Sequence, residues 1–204
     1  MRIVWSLFEH GGFVMWPLLL TSLVSVAITI ERAIFWCRAV RNENKEKLSR
    51  ALDILTTGDI GQALGILRDQ NDISARVVRS GLEEKDHGFS ETMEIQASSE
   101  IGEMKKGLGV LDTIVTMAPL LGILGTVLGI IESFNLLGDR GIHDPKAVTA
   151  GIAQALITTA AGLTIALMTL IPLNYFMART DKAAKAIERI CTRFEIAFKK
   201  CVKQ

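Results

Sequence analysis

The sequence predicts an all-α integral membrane protein with three transmembrane helices and long cytoplasmic helical extensions. Three observations carry that prediction. The chain of 204 residues is 49% hydrophobic, with a mean hydropathy of +0.32. Its 23 basic and 22 acidic residues avoid three long stretches, each close to or above the roughly 20 apolar residues that a helix needs to cross a bilayer core. Outside those stretches apolar residues recur at spacings of three and four, and no alternating strand pattern competes.

The first charge-free stretch is residues 11–30, GGFVMWPLLLTSLVSVAITI. It is too long for a signal-peptide core, Glu9 and His10 precede it, and no A-x-A site follows, so it reads as a retained span. Trp16 and Trp36 suit interfacial positions at its two ends. The region 31–112 then reads as charged helices. Leu48, Leu52, Leu55, Ala63, Leu64 and Leu67 mark 43–70, with a break at Thr57-Gly58-Asp59. Ile95, Ile101, Met104, Leu108 and Leu111 mark a helix over 90–112, after a turn at Lys85-Asp86-His87-Gly88. The second charge-free stretch is 113–131, and span two is set at 113–137. A connector, 138–146, leads to the third stretch, 147–178, with span three at 147–176. The tail 177–204 continues as a helix marked by Ala183, Ala186, Ile190 and Phe194.

Basic residues set the direction. Only Arg2 precedes span one, twelve Lys or Arg lie in 31–112, two lie in 132–146 and eight lie in 179–204. The positive-inside rule therefore puts 31–112 and the C-terminal helix in the cytoplasm, and residues 1–10 and the connector on the other side.

Composition excludes several function classes. A net charge of +1 offers no basic field for nucleic acid. Cys37, Cys191 and Cys201 have no metal-type spacing and read as inert thiols of a reducing compartment. No cofactor motif is present: the P-loop and Rossmann glycine patterns are missing. Ser6, His10 and the other polar residues form no nucleophile–base constellation, so an enzyme is not expected.

The spans themselves carry the functional signal. In span two, Asp112, Thr116, Pro119, Gly122, Thr126, Gly129 and Ser133 recur at steps of three and four, which puts them along one side of a helix. In span three, Gly151, Ala155, Thr159, Gly162, Ala166 and Thr169 do the same, with Gln154 and Thr158 beside them and Pro172 loosening the helix further on. Thr126 lies six residues before Glu132, about 9 Å below the outer end of its span, and Thr159 lies about 14 Å deep in the next. Small residues let another backbone approach, and a hydroxyl in a bilayer needs a partner or water. The faces suit a lined cavity or a site for a further helix; the plainer reading is helix packing, including Gly125-x-x-x-Gly129. No Asp, Glu, Lys, Arg or His lies inside the three charge-free stretches, so a proton path here needs a carboxylate from a partner.

At the segments APLLGILGTVLGIIESF (118–134) and GIAQALITTAAGLTIALMTLIPLNYF (151–176), the chain resembles the MotA/TolQ/ExbB proton-channel family, and its ExbB/TolQ branch most. Glu31-Arg32 and, more loosely, GDIGQALGILRD (58–69) extend the resemblance over nearly the whole chain. The resemblance implies a bacterial inner-membrane protein with its N-terminus and connector in the periplasm. It also implies a homopentamer around two copies of a single-span ExbD/TolR-like partner, whose membrane Asp faces a ring of threonines. Proton flow would then drive an outer-membrane transporter or an envelope process, with a TonB-like protein as a further partner. Thr126 and Thr159 match the family's pore threonines. Pro119, Gly122, Gly129, Thr158 and Gln154 line the same expected path, with Asp112 at its cytoplasmic mouth. Many members carry Glu in G-I-A-E-A-L where this chain has Gln154, which cannot titrate but still donates and accepts hydrogen bonds. Flagellar-type relatives have four spans, against three here. The alternative is a membrane scaffold whose small faces only join helices.

Overall fold

The structure is a computed structural model and describes residues 12–41, 45–85, 88–140 and 145–202. The expected segment 1–10, with Ser6 and His10, lies outside the described residues. So do the middle of the 138–146 connector and Asp86-His87 of the expected turn. Among the described residues there are seven α-helices and no strand. They are α1 (Met15–Arg41), α2 (Lys45–Thr56), α3 (Ile60–Arg68), α4 (Ile73–Glu83), α5 (Phe89–Lys105), α6 (Leu108–Arg140) and α7 (Pro145–Val202). Three helices are long and apolar enough to cross a membrane. They fall into two compact units, Met1–Glu31 with Gly107–Tyr175, and Arg32–Lys106 with Phe176–Gln204.

The first unit holds the apolar parts of α1, α6 and α7. In α6 the buried positions are Leu108, Leu111, Ile114, Ala118, Gly122, Gly125, Gly129 and Ser133, and in this part of α7 Gly151, Ala155, Thr158, Gly162, Ala166, Thr169 and Leu173. Those steps of three and four give each helix one inward stripe. Leu20, Leu120, Leu156 and Leu167 stand exposed on the other faces. Lipid tails are as apolar as leucine, so close backbone contact and hydrogen bonds, rather than the hydrophobic effect, hold such helices together. Val14, just before α1, and Leu18 of α1 close the cluster against Ala118 and Ala166. The buried hydroxyls of Ser25 in α1 and Thr169 in α7 hydrogen-bond at 2.7 Å. Pro119 and Pro172 both lie inside continuous helices.

The second unit is a water-type bundle. Gly58, at φ +95°, ends α2 in the left-handed region, and the carboxylate of Asp59 caps α3 by accepting from the N–H of Gln62 at 2.8 Å. The break expected at Thr57-Gly58-Asp59 is therefore present. Leu55, Leu67, Val77, Val78, Met93 and Met104 are fully buried, each contributing about 1.5–3 kcal/mol for a large side chain. Phe89 stacks on Phe198 at 4.3 Å between centroids.

Two expectations for this region need correction. The helix expected over 90–112 is two helices: Lys106 leaves helical geometry and Gly107 takes φ +77°, so α5 ends at Lys105 and α6 starts at Leu108. A run of 3–4 spacings on both sides concealed a single glycine that breaks the backbone. Helix α4 falls inside the region 31–112 that reads as helical, but it is not picked out there as a separate element, although Ile73, Val77, Val78 and Leu82 give it a narrow apolar stripe.

Candidate functional site

The Thr126 hydroxyl on α6 and the Thr159 hydroxyl on α7 are hydrogen-bonded to each other. Thr159 Oγ1 lies 3.0 Å from the carbonyl oxygen of Gly122, and Thr126 Oγ1 lies 3.2 Å from that of Ala155. Thr126 Oγ1 also lies 3.2 Å from Gly122 O, so four short oxygen–oxygen contacts share two hydroxyl protons. Each hydroxyl donates to one acceptor at a time, and both keep lone pairs for an outside donor. Both threonines are half-buried, at the edge of the helix pair rather than within it.

The glycines beside them create that arrangement. A Cβ on Gly122 would stand 3.0 Å from Cα of Thr159, and a Cβ on Gly125 would stand 2.4 Å from Oγ1 of Thr158. The two helices touch backbone to backbone because side chains are absent there.

The structure therefore divides the expected site residues into groups. Gly122 and Gly129 are buried between α6 and α7. Thr158 is buried with them, and its hydroxyl donates to Ala155 O at 2.8 Å. Pro119 is half-buried about two turns from Thr126, and Asp112 is exposed near the start of α6. Thr116 is also exposed, with its hydroxyl turned back on Thr113 O at 2.8 Å.

Gln154 is not brought to the threonine pair. It lies five residues before Thr159, about 140° around the helix. Its amide reaches the segment just before α1, where a Cβ on Gly12 would stand 2.1 Å from Nε2. It lines a cavity with Phe13, Val14, Gly125 and Glu132.

These hydroxyls can pass and accept hydrogen bonds but cannot hold a charge at neutral pH. Residues 69–189 match the MotA/TolQ/ExbB proton channel family. The chain belongs to that family. An ExbB-like biopolymer transport protein of Synechocystis is 31% identical over 203 residues, covering 94% of this chain and 78% of its own. The biopolymer transport protein ExbB of Salmonella typhimurium is 28% identical over 85% of this chain and 77% of its own. The Tol-Pal system protein TolQ of Pseudomonas aeruginosa is 36% identical over 46% of this chain and 41% of its own. Membership in the MotA/TolQ/ExbB family, with three apolar helices of spanning length, makes this a membrane protein of proton-channel type.

Sequence reasoning passed over two polar anchors that this family member buries. Ser25 holds α1 to Thr169 of α7, and its signal was the run Ser22, Ser25, Thr29 at steps of three and four in span one. Arg32, 2% exposed, donates from Nη1 to Glu103 O at 2.7 Å, and its guanidinium carbon lies 4.8 Å from the Phe35 ring centroid. An arginine just past an apolar run reads as an interfacial charge, so composition gave no sign of its burial.

Proposed function

We propose that this chain is the stator and channel subunit of a proton-motive-force-driven motor in the bacterial inner membrane. Five copies would surround a single-span ExbD/TolR-like partner, with Thr126 and Thr159 facing the pore. The observation that carries this reading is the half-buried Thr126–Thr159 hydroxyl pair on two helices that hold no ionisable residue across their apolar stretches. A proton path needs a group that titrates, so the partner supplies a carboxylic acid and the threonines receive it. A protonated carboxyl donates to the open lone pair of a threonine; an ionised one accepts from a threonine hydroxyl. Either state of the acid is then hydrogen-bonded, which lowers the cost of moving it past the ring. Gly122, Gly129 and Thr158 would act behind this surface by fixing the spacing of α6 and α7. Asp112, exposed near the start of α6, would mark the cytoplasmic mouth. The work delivered would be outer-membrane transport or an envelope process, with a TonB-like protein as a further partner. The N-terminus and the α6–α7 connector would face the periplasm and the C-terminus the cytoplasm.

The scaffold reading has one observation in its favour, since the glycine stripes of α6 and α7 meet each other. That contact lies inside one chain, however, and leaves the threonines at its edge.

Proton flux into liposomes tests the proposal. The chain alone should leak little, and co-reconstitution with its single-span partner should raise flux. High flux from this chain alone would sink the partner-acid mechanism. Native mass spectrometry after mild extraction should show five copies with two of the partner, and a bare dimer would favour the scaffold.

A further inference from the structure

Within the unit formed by Arg32–Lys106 and Phe176–Gln204, a groove of about 210 Å³ is lined by Trp36, Asp72, Ser74, Arg179 and Lys182 over an apolar floor that includes Ile187. Three independent features point to what it holds. Trp36 is only 7% exposed, and among the described residues its indole N–H has no hydrogen-bond acceptor. A buried donor left without an acceptor is unfavourable, and few native ones persist. The Arg179 guanidinium lies 5.2 Å from the centroid of that same indole, and among the described residues neither Arg179 nor Lys182 makes an ion pair. Helix α4 begins at the groove, and the Asp72 side chain does not cap its first turn. The N–H groups there have no intrahelical acceptor and carry the positive end of the helix dipole.

We infer that this groove binds a phosphate group, held by Arg179 and Lys182 with Ser74 and the start of α4. Arginine offers a planar fork that matches two phosphate oxygens, and lysine adds a point charge. The Asp72 carboxylate is the one acid on the wall; its charge acts on Arg76 in the next turn, and two cations outnumber it. The apolar floor favours a phosphate that carries an apolar body, as a phospholipid headgroup does. Free phosphate presents the same oxygens without that body.

Emission from Trp36 reads the site directly. In the full chain carrying Trp5→Phe and Trp16→Phe, Trp36 is the sole indole of the three. The chain is titrated with inorganic phosphate in detergent, and compared in nanodiscs of phosphatidylcholine with and without phosphatidylglycerol. A saturable emission change with phosphatidylglycerol and none with phosphate assigns a lipid headgroup; a change with phosphate assigns a soluble source. Arg179→Gln with Lys182→Gln should weaken the midpoint at least tenfold. Lys182→Gln alone, at an exposed position, should weaken it about threefold with helicity unchanged. Emission indifferent to both ligands, or a midpoint that Lys182→Gln and the double variant leave in place, overturns the assignment.

Discussion

The carbonyl oxygen of Ala118 on α6 lies 2.4 Å from where a Cβ would stand on Gly162 of α7. No side chain fits between these two residues, so the approach of α6 and α7 is fixed by what Gly162 lacks. Gly162→Val should force the helices apart and cost about 3 kcal/mol, the upper end for overpacking. Thermal unfolding in detergent measures it, and a melting temperature within a degree or so of the parent would show that the helices separate without cost.

The threonine pair calls for the opposite result. Thr126→Val and Thr159→Val keep shape and remove a hydroxyl, so each should change stability by about 1 kcal/mol or less. With the partner present, proton flux should fall at least about tenfold, equivalent to about 1.4 kcal/mol on the barrier. Flux at the parental rate with Val at both positions would assign the pair to packing.

Much of this was legible in the sequence because membrane helices announce themselves by exclusion. Charge-free runs located the apolar parts of α1, α6 and α7, and steps of three and four located the faces of α6 and α7. Periodicity could not say how a face is divided. Gly122 and Thr126 share a stripe, yet Gly122 meets α7 and Thr126 sits at the edge, because one turn of drift separates buried from half-buried. Gln154 beside Thr158 looked like part of the same surface, and only the fold shows it turned to Gly12. The bounds and apolar face of helix α4 were hidden by its 11 residues, too few for periodicity to stand out among charges.

Acid should loosen the bundle that contains α4 and α5. Glu100, its side chain 12% exposed, accepts from Arg76 at 2.8 and 2.6 Å and from Gln96 at 2.9 Å. Burial pushes its carboxyl up, but the hydrogen bonds and charge of Arg76, with Gln96, outweigh that and hold it below the ordinary 4.5. A carboxyl whose pKa is lower folded than unfolded stabilises fully above the unfolded value, and that contribution is lost as pH falls through the folded one. Melting temperature should therefore drop below about pH 4.5. Glu100→Gln should lose about 1–2 kcal/mol at neutral pH and flatten this part of the profile. An unchanged acid limb in the variant would remove Glu100 from the explanation.

One substitution should strengthen the same bundle. Gly65 is exposed in the interior of α3, and a Cβ there would meet nothing within 4 Å. Gly65→Ala should stabilise by about 0.5–1 kcal/mol, since alanine loses less backbone freedom on entering a helix. Denaturation of the two proteins side by side reads the difference, and a loss of stability would reveal a contact at this face that the single chain does not contain.

The Thr126 hydroxyl has three acceptors in reach, Gly122 O, Ala155 O and Thr159 Oγ1, and the Thr159 hydroxyl has two, Gly122 O and Thr126 Oγ1. Each carries one proton and can turn among these acceptors. The carbonyls have no proton to give, so the pair rearranges its hydrogen bonds without taking up a charge. In the proposed motor it would act as a swivel. A hydroxyl that turns from a carbonyl toward the partner's carboxylate, and back when that acid is protonated, answers each state of the acid by rotation about a single bond, while the proton stays with the partner.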